Sequence, residues 1–172
     1  MITRPDYWTG LLFKRLMGNG VLATKLVQLS EESQWQKDDW RTSNHAIDSA
    51  LLSYCHCSRR FDKGLALLLV NPANANTSAT MRFTASGGVQ WDAVIYQLSA
   101  GFNSTDILLN GDLLQVTKTD TTDGSDGWSM PSLDGKNVTV SPGSAHTVIV
   151  ERQSYLFVEY PNAKVSGCAH VQ

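Results

Sequence analysis

Apolar and polar positions change their period once along this chain. At 5–18 the spacing is helical: Trp8, Leu12 and Leu16 fall on one stripe, Tyr7 and Leu11 lie beside it, and Phe13 and Met17 widen the apolar surface. Pro5 suits a first turn, Asp6 complements the positive end of the helix dipole, Lys14 and Arg15 complement the negative end, and Gly18-Asn19-Gly20 supplies a stop. This helix has more apolar face than one small sheet needs. It is expected to pack against something larger than the rest of the chain offers and, without that partner, to leave the Trp8, Leu12, Leu16 stripe as an exposed patch that drives self-association.

From position 21 the pattern is extended. A strand is expected at 21–28, then a polar, irregular loop at 29–49. Short apolar runs follow between turn signals, at 50–57, 64–71, 79–85, 91–98, 107–109, 113–118, 138–140, 145–152 and 155–160, with a last edge strand at 164–170. Runs of this length and spacing predict a mostly β chain, an antiparallel sandwich preceded by one helix. Asn110-Gly111 between two Leu-Leu pairs marks a hairpin, because its turn needs two residues that tolerate positive φ. Leu65 to Val70 is uninterruptedly apolar, as a strand covered on both faces would be. The stretch 117–136 holds Asp120, Asp123, Asp126 and Pro131 and reads as a long surface loop.

Composition narrows the function classes. With 172 residues the chain suits one domain, or one domain plus a fragment of another, and a net charge of -2 with 17% charged residues carries no broad signature for nucleic acid or an anionic surface. No run reaches the length of a membrane span, and positions 1–20 lack the order of a signal peptide. Three acceptor triplets, at Asn76, Asn103 and Asn137, nevertheless fit N-glycosylation in the secretory pathway.

Chemistry is sparse. Cys55 and Cys57 share one face of an extended strand and do not readily bridge each other, so a disulfide needs the distant Cys168. Such a bridge would close a loop of about 110 residues, worth roughly 4 to 5 kcal/mol on the chain-entropy model. The competing arrangement is a zinc site of Cys55, Cys57, Cys168 and His170, although C-x-C and C-x-H match the usual ligand spacing poorly. His45, His56, His146 and His170 are scattered, no G-x-S-x-G elbow or phosphate loop is present, and no cofactor is implied. Of the four glutamates, Glu31 and Glu32 read as solvated neighbours, and Glu151 and Glu159 as surface groups paired with Arg152 or a lysine. No carboxylate dyad results. Arg59, Arg60 and Lys63 form a basic turn suited to an acidic sugar, and Trp35, Trp40 and Trp128 are loop indoles able to stack on a sugar ring. Together they define a second reading, a free-standing carbohydrate-binding module.

Three stretches, RPDYWTGLLFKRLMGNGVL, SYCHCSRR with GLALLLVN, and SYLFVEYPNAKVSGC, resemble in order and separation the C-terminal part of heparanase and heparanase-like proteins of glycoside hydrolase family 79. Met130-Pro131-Ser132-Leu133 and Pro142-Gly143-Ser144 fit the loop between them. The resemblance implies a retaining endo-β-glucuronidase of the secretory pathway, extracellular, lysosomal, vacuolar or membrane-associated, built from a (β/α)8 barrel and a β-sandwich. Residues 1–20 would be the last barrel helix of a truncated or fragmentary chain, and residues 21–172 the sandwich. It also implies a Cys57–Cys168 bridge and leaves Cys55 unpaired in the core. The family's catalytic glutamates lie upstream of the helix with which this chain begins, so the chain is expected to be inactive without its own barrel, the partner through which a uronic-acid glycan would be reached.

Overall fold

The computed structural model describes residues 5–24, 51–81, 91–100, 105–120, 126–140 and 146–168. The loop expected at 29–49, with Trp35 and Trp40, and the triplet at Asn103 lie outside them.

Helix α1 (Pro5–Leu16) runs straight into strand β1 (Met17–Leu22), so the glycines expected to stop the chain lie inside a strand. Then follow β2 (Leu52–Ser58), β3 (Leu65–Asn71), β4 (Thr77–Met81), β5 (Trp91–Ala100), β6 (Ile107–Leu109) and β7 (Asp112–Leu113). The rest are β8 (Thr117–Asp120), β9 (Asp126–Ser129), β10 (Lys136–Val140), β11 (His146–Val150) and β12 (Ser154–Tyr160). The large sheet has the order β1-β2-β3-β12-β5-β6-β7, with β10 also on β5; β4 pairs with β11, and β8 with β9. All pairings are antiparallel. Among the described residues no helix is long and apolar enough to cross a membrane.

Three layers result. One face of the large sheet, with Leu67, Leu69, Leu156 and Val158, packs on Ala79, Val148 and Val150 of the β4–β11 pair. The other face, with Leu68, Leu98 and Phe157, packs on Trp8, Leu12 and Leu16 of α1. The continuous apolar run of β3 is accounted for, since a strand between two layers has no solvent side. The same contact corrects the expectation of an exposed helical stripe: Trp8, Leu12 and Leu16 are each 0% exposed. The sheet presents an apolar face to either side, and α1 fills the one that β4–β11 leaves open.

Two other expectations change. The loop expected at 117–136 contains the β8–β9 ribbon and ends at β10, because antiparallel pairing satisfies polar strands as well as apolar ones. The expected final edge strand is instead a single 3-10 turn at Ser166–Cys168; Lys164 has a φ of 51° and Cys168 N–H bonds back to Val165 C=O, a geometry that coils the chain.

Candidate functional site

The chemistry-bearing residues converge where the C-terminus of α1 meets the turn after β2. Ser58 starts that turn: its hydroxyl accepts the N–H groups of Arg60 (3.1 Å) and Phe61 (3.2 Å) and donates to Glu159 Oε1 at 2.8 Å. Arg60 is thereby aimed under the sheet, where its Nη1 donates to Glu159 Oε2 at 3.1 Å and to the Tyr96 hydroxyl. Tyr96 also donates to Glu159 Oε2 at 3.2 Å.

Glu159 lies on the helix-facing side of β12, between Ala66 of β3 and Val94 of β5, and is 0% exposed. It is no surface group, and its partner is Arg60 rather than Arg152 or a lysine. Burial pushes its carboxyl above the ordinary range, against the opposing pull of the Ser58 hydrogen bond, the Arg60 charge and Tyr96. Burial likewise pushes Tyr96 up to about 12, with the Glu159 charge adding to it. A lone sealed carboxylate with an arginine on it is unsuited to glycosidic acid–base work, which needs two acids flanking a bond. Glu159 instead anchors the turn to the sheet.

Cys57 and Cys168 form a disulfide across 111 residues with Cα atoms 5.2 Å apart. Around it, Lys63 N–H donates to Cys168 C=O (3.2 Å) and Val165 N–H to Lys63 C=O (2.9 Å), pinning the chain end to the same turn. Gly20 lets β1 pass close to the bridge, since a Cβ there would stand 2.6 Å from Cys57 Sγ. Cys55 stays free and buried, its thiol pushed up to about 11 by burial. The bridge overturns the zinc arrangement: it consumes two of the three thiolates, and among the described residues no cluster suited to a metal is found.

The basic turn is largely committed to its own fold. Arg59 closes the end of α1, its N–H on Leu16 C=O at 2.9 Å and its Nη1 on Lys14 C=O at 3.2 Å, satisfying carbonyls that a helix terminus leaves open. His56 Nδ1–H donates to Gly18 C=O at 2.8 Å and holds the helix–strand junction. Arg60 serves Glu159, which leaves the exposed Lys63 side chain. Trp128 is 53% exposed on the ribbon, opposite Lys118. Asn76 is exposed and its Oδ1 accepts Arg152 N–H at 3.0 Å; Asn137 is exposed on β10.

Sequence reasoning missed Glu159, Tyr96 and Ser58 as one group. The available signal was an acid in phase with Tyr155 and Phe157 inside a strand otherwise apolar on both sides, which demands a cationic partner. A recess of about 310 Å³ elsewhere on the helix-facing side is lined by Val70, Leu98, Ile107 and Tyr155, and its lining holds no carboxylate, imidazole or amine. No family model matches the chain, and no curated protein does.

Proposed function

We propose that the chain is the C-terminal β-sandwich portion of a heparanase-like endo-β-glucuronidase, a retaining hydrolase of uronic-acid-containing matrix glycans. Its role there is structural: it carries no catalytic pair and supports a barrel that holds the catalytic glutamates. The observation that carries the reading is the disulfide. Three cysteines allow three pairings, the resemblance implies one, and Cys57–Cys168 is the one formed, with Cys55 left free in the core. A helix that leads into a sandwich adds support, as do Tyr7 and Phe13, which keep 47% and 39% of their surface exposed for a further layer. A long-range disulfide also suits the secretory pathway.

The test is the native protein, captured with an antibody against residues 117–136 and sequenced by mass spectrometry. Peptides that continue upstream of Met1 into a barrel with paired glutamates are expected; a native chain that starts at Met1 removes the hydrolase reading. One observation favours the carbohydrate-binding alternative, the exposed indole of Trp128. Retardation on heparin or glucuronan gels that disappears in Trp128→Ala would support it, and free migration on every glycan would end it.

A further inference from the structure

We propose that Asn137 carries an N-linked glycan and that this glycan covers the edge of β10 that no other described strand pairs. The large sheet pairs β10 with β5 alone, so the outer side of β10 meets no other described strand. An unpaired strand edge is a template for another chain, and proteins blunt such edges with charge, bulk or a covering segment. β10 has Lys136 at its start and, beyond it, the acceptor triplet Asn137-Val138-Thr139.

The alternation of the strand separates the triplet cleanly. Val140 is buried in the inter-sheet core and Val138, on the same side, is half-buried, while Asn137 and Thr139 are both exposed on the other side. The Asn137 carboxamide has no hydrogen-bond partner among the described residues. Other asparagines are tied: the Asn71 Nδ2 donates to three backbone carbonyls, Asn110 bonds to Gln97 and Ile95, and the Asn76 oxygen is held by Arg152. A glycan on Asn137 therefore breaks no contact of the described fold.

The route to that modification is also structural. A disulfide joining residues 111 apart belongs to an oxidising compartment, where chains meet the machinery that glycosylates Asn-x-Thr. The inference shares with the glycosidase reading only this secretory route and stands if that reading fails.

The native protein, digested with peptide N-glycosidase in heavy-oxygen water, is expected to show labelled conversion of Asn137 to Asp in most copies. In a host that secretes and glycosylates the chain, Asn137→Gln and Thr139→Ala should each remove one glycan and shift the protein to larger species on gel filtration. An unmodified Asn137 in molecules that hold the Cys57–Cys168 bridge overturns the proposal, as does a native chain with both cysteines reduced. An occupied Asn137 whose removal leaves the protein monomeric overturns the covering role.

Discussion

The two faces of the large sheet solve the same burial problem by different means. Towards β4–β11 the layer is aliphatic at its centre, Leu67, Leu69, Leu156 and Val158 against Val148 and Val150, and its buried polar groups are neutral: His146 Nδ1 meets the Tyr160 hydroxyl at 2.8 Å, and Asn71 Nδ2 donates to Val150 C=O at 3.0 Å. Towards α1 the layer is apolar too but encloses the Glu159, Arg60, Tyr96 and Ser58 network. Paired strands satisfy their own backbone groups, whereas a helix that ends against a sheet leaves carbonyls open. Arg59 and His56 close that end, and the turn that brings Arg59 also brings Ser58 and Arg60 under the sheet to meet Glu159. Both layers are stitched by polar groups, the helical one through a charged network and the second sheet through neutral ones.

The heaviest blow to the helical side should come from its covalent tie. Cys57→Ser combined with Cys168→Ser is expected to lose roughly 4 to 5 kcal/mol on the chain-entropy model, read from urea melts. A loss under about 1 kcal/mol would mean that the turns hold the corner without the bridge. Next in size, Trp8→Ala should cost about 3 to 5 kcal/mol and Leu156→Ala, facing the other layer, about 2 to 5. A Trp8→Ala chain that melts like the parent would show that α1 does not cover the sheet in solution, and the contrast between the faces would collapse.

Arg60→Ala isolates the network. Breaking a fully buried pair typically costs about 3 to 5 kcal/mol, but the Arg60 side chain is 35% exposed, so about 2 kcal/mol is expected after screening. Adding Glu159→Gln should recover part of that loss, since the amide leaves no unpaired charge. Equal stability of the single and double variants would show that the carboxyl is already neutral once Arg60 is gone.

Much of the layer structure was legible in the chain. The 3.6 period of Trp8, Leu12 and Leu16 marks the helix, the unbroken Leu65 to Val70 run marks a strand without a solvent side, and Asn110-Gly111 marks a hairpin whose residues take φ of 54° and 93°. What covers the helix was not, because periodicity says that a stripe must be buried and is silent about its partner. The continuous run of β3 already called for a second covering layer, and α1 is that layer. The β8–β9 ribbon escaped notice because its strands, Thr117–Asp120 and Asp126–Ser129, lack apolar alternation and are held by backbone pairing. The site was harder still: Glu159 and Arg60 are 99 residues apart, and only the β3–β12–β5 register brings the carboxylate over the turn.

The finest difference between the faces is their response to pH. Burial lifts the Glu159 carboxyl, so its contribution to stability is fully present below the ordinary value of 4.5 and is lost as pH rises through the raised value and the buried group ionises. Burial lowers His146, so on the other face stability is present above the ordinary value of 6.5 and is lost as pH falls through the lowered value, when the imidazole must charge beside Tyr160 and Met81. The two slopes have opposite sign and offset each other wherever both groups titrate. Thermal melts across pH should find the limb that falls as pH rises above 4.5 flattened in Glu159→Gln and the limb that falls as pH drops below 6.5 flattened in His146→Gln, each variant sparing the other limb. If one variant flattens both limbs, the faces titrate as one unit and the division between a charged layer and a neutral one fails at the level of electrostatics.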